Sequence, residues 1–224
     1  MEITIRRADG TSCVMTPDIK KLIVVGFSGC DKEKTMEHIH ELEKAGVKCP
    51  EDVPVVYECD PQIITQKQEI SVVGDKTSGE AEYLVLIQDG KTYIGIGSDH
   101  TDRDLEAVSI HKSKQLCLKP CSKEFWPYED VKDHFESLRI QSRQIVKGTD
   151  EEYQDGHVSD MLPLEDILNK VAEETVPEQC LIYTGTVPLK NGFRFGEEFS
   201  CSLKDEKLGR SISLSYKIRA IREH

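Results

Sequence analysis

Two strand-like runs, EAEYLVLIQ at 80–88 and KTYIGIG at 91–97, flank the dipeptide Asp89-Gly90, and this unit constrains the fold more than any other part of the chain. Asp-Gly suits the two positive-φ positions of a type I′ turn, so the runs are expected to pair as an antiparallel hairpin. With Asp89 and Gly90 at the turn, Gln88 faces Lys91, and the register carried outward sets Glu80 opposite Asp99. Side chains alternate along a strand, so Glu80 and Glu82 share a face with Asp99, and Gly97, opposite Glu82, leaves room beside it. Directly opposed residues have Cβ atoms roughly 5 Å apart, where like charges repel. A bound divalent cation offsets that repulsion, and an all-oxygen donor set favours magnesium, manganese or calcium over the nitrogen and sulfur sites of structural zinc. An isolated Glu-x-Glu usually lines a wet strand face. Here the same face continues through Leu84, Leu86 and Tyr93, which is the pattern of a pocket mouth.

Around the hairpin the chain reads as a winding sheet with a few helices. Ile3 to Ile5 and Leu22 to Phe27 are strand-like, as are VPVVYE, QIIT and EISVVG between 53 and 74, and CLIYTG, EFSCSL and SISLSYKI in the last third. A helix is expected over 32–45, where Asp31 can cap and Met36, Ile39, Leu42 and Ala45 share a face. A second helix is expected over 163–174, with Pro163 in its first turn and Leu164, Ile167, Leu168 and Val171 apolar. Residues 128–138 suggest a third, and SDHTDRDLE at 98–106 reads as a loop. The class is β-rich α+β in a single domain, 1–224, with a smaller N-terminal part at 1–60 and the core at 61–224.

Charge and cysteine usage narrow the function classes. A net charge of −12 repels a phosphate backbone, and no basic stripe makes a local exception, so nucleic acid is not an expected partner. The longest apolar run, Leu22 to Phe27, is too short to span a bilayer, and the start MEITIRRADG lacks the apolar core of a signal peptide, so a cytoplasmic protein without membrane contact is expected. Eight cysteines spread over the chain read as reduced thiols. The close pair Cys117-x-x-x-Cys121 has no second pair or spaced histidines to complete a zinc site.

The acidic hairpin resembles the metal-binding strand of the fumarylacetoacetate hydrolase superfamily, Glu-x-Glu followed by a hydrophobic run, which Glu80-Ala81-Glu82-Tyr83-Leu84-Val85-Leu86-Ile87 matches. Ser98-Asp99-His100-Thr101-Asp102-Arg103-Asp104 is similar to the family's Asn-Asp-x-Ser/Thr-x-Arg-Asp segment. The family lysine, in a segment leading to proline, corresponds to Lys114 ahead of Pro120, with Lys112 a competitor. Tyr153-Gln154-Asp155-Gly156 echoes a Gln-x-Gly segment, and Thr184-Gly185-Thr186-Val187-Pro188 a Thr-Gly-Thr-Pro loop with one extra residue. The resemblance covers about 20–218 and is closest to a bacterial branch of about this length with no established activity. It implies a mixed β-sandwich or roll with a few short helices, assembled as a homodimer.

The resemblance implies a metal-dependent lyase or hydrolase acting on a small oxo or diketo acid, with magnesium or manganese on Glu80, Glu82 and Asp99 offsetting the charge of an enolate oxygen. Lys114 is then assigned to that oxyanion or to proton transfer. Arg103 either orients a substrate carboxylate or pairs internally with Asp102 or Asp104. Thr184, Gly185 and Thr186 either present amides and hydroxyls to an anionic substrate or form a strand-ending turn, and Gln154 either lines the pocket or is a polar strand terminus. One departure stands out. The family's lid histidine, in Gly-Arg-Asn-Tyr-x-x-His, is missing from the corresponding Gly26-Phe27-Ser28-Gly29-Cys30-Asp31-Lys32. His38 and His40 on the expected helix are surface candidates. His100 beside Asp99 is the nearest replacement, against a structural hydrogen bond as its simpler role. The competing reading is a non-catalytic small-molecule binding protein that keeps the fold and the ion.

Overall fold

The computed structural model describes residues 1–31 and 52–223. The helix expected over 32–45, with His38 and His40, lies outside the described residues. Two mixed sheets dominate the rest. The larger has eight strands, in the order β2 (Ser12–Met15), β1 (Ile3–Arg6), β12 (Glu124–Pro127), β9 (Lys91–Ser98), β8 (Ala81–Gln88), β15 (Cys180–Tyr183), β3 (Lys21–Gly26) and β4 (Val55–Cys59). The smaller has five, in the order β14 (Thr149–His157), β13 (Arg139–Val146), β16 (Glu198–Asp205), β17 (Arg210–Ile221) and β6 (Glu69–Val73). Two short pairs complete the set, β10 (Thr101–Asp102) with β7 (Thr77–Ser78), and β11 (Lys119–Pro120) with β5 (Ile64–Thr65). The strands of the first sixty residues therefore share a sheet with the acidic hairpin.

The hairpin adopts the register its turn dictates. Gln88 pairs with Lys91 and Ala81 with Ser98, Asp89 and Gly90 have φ of 52° and 68°, and the Asp99 N–H donates to the Glu80 carbonyl at 2.9 Å. One face carries Tyr83, Val85, Ile94 and Ile96 into the space between the sheets. They meet Ile140, Phe199, Leu203 and Ile212 there, with Ile167 and Val171 of α3 (Leu164–Glu174) closing the same core. The other face carries Leu84 and Leu86 against Ile3, Ile5, Leu22, Val24, Phe125 and Tyr183. Each fully buried aliphatic side chain contributes about 1.5–3 kcal/mol, so both faces are held by register and a one-residue slip is strongly disfavoured. Glu82 belongs to this second face.

Helix α3 forms over the expected span, with Leu164, Ile167 and Val171 buried and Glu165 and Asp166 in the favourable first turn. Other expectations change. The span 98–106 is not all loop, since after β10 the chain enters the short helix α1 (Arg103–Glu106), capped by the Asp102 carboxylate on the Leu105 N–H at 2.9 Å. Helix α2 (Ile110–Leu116) follows, capped by Ser109, where the sequence gives no clear helical signal. Over 128–138 the chain makes 3₁₀ turns at Tyr128–Asp130 and Lys132–Ser137, the second broken by a non-helical His134, instead of one helix. The β13–β14 hairpin, turning at Lys147-Gly148 with φ of 51° and 76°, is a further element the sequence does not announce. Among the described residues no helix is long and apolar enough to cross a membrane, and seven cysteines are free thiols, Cys117 and Cys121 both buried.

A candidate metal centre at the end of the hairpin

Glu80 lies one residue before β8, Glu82 is its second residue, and Asp99 is the first residue after β9. The backbone pairing therefore delivers three acids to one spot. Each offers an oxygen, and the three oxygens lie within 4.8 Å of one another. Glu82 and Asp99 are 2% and 0% exposed, so water screens them poorly. Burial, followed by the Asp99 charge, pushes the Glu82 carboxyl well above its ordinary range, and burial raises Glu80 against the pull of Arg103. Buried, mutually repelling carboxylates of this kind fit a hard divalent cation, and three oxygen donors suit magnesium or manganese. The residues present therefore fit the metal.

Three cationic side chains enclose the acids. Lys114, in the last turn of α2, donates to Asp99 Oδ2 at 2.5 Å. Lys119, fully buried in β11, donates to Asp99 Oδ1 at 2.9 Å and to the His100 carbonyl at 2.6 Å. Burial alone would raise the Asp99 carboxyl, but the two ammoniums outweigh it and hold it below the usual carboxylate range. Burial likewise opposes charge on Lys114, and Asp99, Glu106 and Glu80 reverse that and raise it. Lys119 carries no role in the sequence reading, where Lys114 takes the family lysine's place. Its signal is nevertheless there, as the lysine directly before Pro120.

Arg103 takes neither of the internal partners its neighbours suggested. Its Nε donates to Ser78 Oγ at 2.8 Å, Nη1 to Glu106 at 2.7 Å, and Nη2 pairs with Glu80 at 3.3 Å and reaches the Ser78 carbonyl at 3.5 Å. The Phe193 ring lies 4.2 Å from the guanidinium carbon. A guanidinium has five N–H donors and a single plane to stack on, so this one is largely committed to the protein. It orients Glu80, and the geometry does not support it as the clamp for a substrate carboxylate.

The Thr-Gly-Thr loop and Gln154 also turn inward. The Gly185 N–H donates to Glu82 Oε2 at 2.9 Å, Thr184 Oγ1 to the Tyr83 carbonyl at 2.8 Å, and Thr186 Oγ1 to the Ala81 carbonyl at 2.9 Å. Gln154 accepts from the Ala81 N–H and Ser142 Oγ, each at 2.8 Å, and donates to Thr186 Oγ1 at 2.6 Å and the Val187 carbonyl at 2.8 Å. That exhausts the capacity of a side-chain amide. Gln154, Thr184, Gly185 and Thr186, expected at the substrate, here brace β8 and aim Glu82. The stretch in place of the family's lid is fastened to the same loop, with Ser28 Oγ donating to the Thr184 carbonyl at 2.7 Å.

His100, the expected replacement for the lid histidine, also turns away from the acids. It is fully buried, with Nδ1 3.0 Å from the Tyr216 hydroxyl and Nε2 2.9 Å from Thr77 Oγ1, so both ring nitrogens are occupied away from the acids. Burial, then Lys119 and Arg103, push its pKa down to about 3. The room expected beside Gly97 is filled, because a Cβ there would lie 2.8 Å from side-chain atoms of both Leu84 and Tyr183. A groove of about 490 Å³ on the outer face of the five-stranded sheet is lined by Ser200, Ser202, Ser213 and Ser215 among others and includes none of the acids.

A family model described as "Protein of unknown function (DUF2848)" matches residues 25–216. No curated protein matches the chain by sequence. Among solved structures, a hexagonal crystal form of 2-keto-3-deoxyarabinonate dehydratase is similar at a TM-score of 0.68 and 18% identity, over 95% of this chain and 77% of that one. Another, 2-keto-3-deoxy-D-arabinonate dehydratase complexed with magnesium and 2,5-dioxopentanoate, is similar at 0.64 and 18%, over 92% and 75%. A fumarylacetoacetate hydrolase family protein from Yersinia pestis CO92 is similar at 0.66 and 20%, over 96% and 99%. The fold is thus that of fumarylacetoacetate hydrolase-like proteins, as the resemblance implied.

Proposed function

The chain belongs to the family described as protein of unknown function DUF2848, and on that premise we propose that it is a divalent-cation-dependent enzyme acting on a small oxo or diketo acid. One observation carries the reading. Glu80, Glu82 and Asp99 converge within 4.8 Å, largely buried, with the Lys114 ammonium on the same cluster. The similar dehydratase complexed with magnesium and a dioxo acid supports the same ligand class.

Glu80, Glu82 and Asp99 would hold a magnesium or manganese ion, which would supply Lewis-acid polarisation of a carbonyl and offset charge developing on its oxygen. The chain's own residues do the rest. Gly185 and Gln154 fix Glu82 and the start of β8, Arg103 fixes Glu80, and Lys119 fixes Asp99. Lys114 is 6% exposed and has Asp99 as its one hydrogen-bond partner among the described residues, so it retains N–H donors for a substrate oxygen. Its ammonium is assigned to stabilise negative charge on that oxygen or to deliver a proton to it. With both His100 ring nitrogens occupied elsewhere, that residue is not placed to activate water, which favours enolisation-type chemistry, such as decarboxylation or dehydration, over a hydrolysis that uses His100 as base.

The test is a turnover screen of oxo and diketo acids with magnesium or manganese, using Glu82→Gln and Lys114→Ala as controls. Turnover that vanishes in Glu82→Gln and drops by about 10²-fold or more in Lys114→Ala supports the assignment. Undiminished turnover in both variants refutes it. Tight cation and ligand binding without turnover for any acid would favour the non-catalytic binding protein.

A further inference from the structure

We propose that Lys114 is the resident counter-ion of the carboxylate cluster, and that a divalent cation taking up Glu80, Glu82 and Asp99 displaces its ammonium from Asp99 and frees it for a ligand oxygen. The inference rests on the metal reading above and deepens it, because metal loading and arming of the lysine become one event.

Arg103 pairs with Glu80 and Glu106, and Lys114 and Lys119 both pair with Asp99, so three cations stand among the four carboxylates Glu80, Glu82, Asp99 and Glu106. Most of the negative charge is therefore already offset by the protein's own cations. Two more positive charges in the same buried space leave an excess, and the cation least fixed by the fold is the one that yields.

Geometry identifies that cation. Lys119 is fully buried, holds both Asp99 Oδ1 and the His100 carbonyl, and sits in a strand paired with Ile64 and Thr65. Arg103 is tied through all three guanidinium nitrogens and lies under Phe193. Among the described residues Lys114 is held by a single polar contact, on the Asp99 oxygen that Lys119 leaves open, and it projects from the end of a seven-residue helix whose next residues are half-buried Gln115 and exposed Leu116. The flexible four-carbon stem lets the ammonium swing without moving the helix. The Glu106 carboxylate, whose charge acts on Lys114 and whose side chain is 22% exposed, offers a landing place at the outer side of the cluster.

Manganese binding to the metal-stripped, full-length protein tests this, by electron paramagnetic resonance or calorimetry, for the wild type, Lys114→Met and Glu82→Gln. Lys114→Met is expected to bind Mn²⁺ about tenfold more tightly or better, since the competitor is gone, while Glu82→Gln loses binding. In parallel, amine-directed labelling read by peptide mass spectrometry follows Lys114 in the wild type, and its labelling is expected to rise several-fold on adding Mn²⁺ while that of Lys119 does not. The labelling arm decides the matter if Lys114→Met fails to fold. Wild type that binds Mn²⁺ with no gain in Lys114→Met and no change in Lys114 labelling overturns the displacement and leaves the metal reading standing. Absence of Mn²⁺ binding in both proteins overturns the metal reading and this inference with it.

Discussion

Gly185→Ala is the sharpest probe of how the cluster is held. Gly185 sits at φ +99°, a region L-residues avoid, and a Cβ there would overlap Ser28 Oγ and lie 3.0 Å from Ser28 Cβ. Its N–H is also the hydrogen bond that aims Glu82, at 2.9 Å. Backbone strain costs about 1–2 kcal/mol and overpacking about 1–3 kcal/mol. A weakened hydrogen bond to the buried carboxylate costs about 1.5–3 kcal/mol. A shift that relieves the clash lengthens the hydrogen bond, so the terms overlap, and a total of about 3–5 kcal/mol is expected. That is a large part of the roughly 5–15 kcal/mol typical of a folded protein. Urea unfolding followed by fluorescence of the single, buried Trp126 measures it. Ser28→Ala removes the overlapping hydroxyl, so the double variant should be less destabilised than the sum of the singles by about 1–2 kcal/mol. A Gly185→Ala protein within about 0.5 kcal/mol of wild type, or strict additivity with Ser28→Ala, would refute the account of this loop.

Other expectations follow from the same contacts. Arg103→Met leaves the largely buried Glu80 without its cation, so a loss of about 3–5 kcal/mol is expected in chemical denaturation, and a loss below about 1 kcal/mol would mean the pair is not structural. Gly97→Ala must push Leu84 or Tyr183 aside and should cost about 1–3 kcal/mol, read as a lowered thermal midpoint. His100 has a folded pKa of about 3 against an ordinary 6.5. Between those values the unfolded chain binds a proton that the native state does not, so the His100 contribution is whole above about pH 6.5 and lost as pH falls towards about 3. The slope is up to about 1.4 kcal/mol per pH unit, and His100→Asn should flatten it in paired urea titrations near pH 5 and pH 7. The homodimer implied by the family resemblance predicts twice the chain mass of 25.4 kDa in light scattering, and a monomer at micromolar concentration would remove it.

Much of the candidate site is legible in the sequence because the Asp89-Gly90 turn is local chemistry. A two-residue turn sets the register, the register sets strand alternation, and alternation puts Glu80, Glu82 and Asp99 on one side. Helix α3 is legible for the same kind of reason, an apolar spacing beside a proline. The short α2 escapes a sequence reading because seven residues carry too little periodicity to stand out, and the β13–β14 hairpin because its exposed face is polar and its Lys147-Gly148 turn is a weaker signal than Asp-Gly.

The chain by itself thus determined which acids meet, since that depends on neighbours along a hairpin. What those acids touch was decided by tertiary packing. The space at Gly97 went to Leu84 and Tyr183 from neighbouring strands, and Gln154, 73 residues from Ala81, used every hydrogen bond on the framework. Arg103 found Glu80 and Ser78 besides the nearby Glu106, and neither Asp102 nor Asp104, His100 turned to Thr77 and Tyr216, and Lys119 arrived beside Lys114 on one carboxylate. A polar side chain removed from water must take whatever partner the fold brings within about 3 Å, and no local spacing rule states which distant segment that will be.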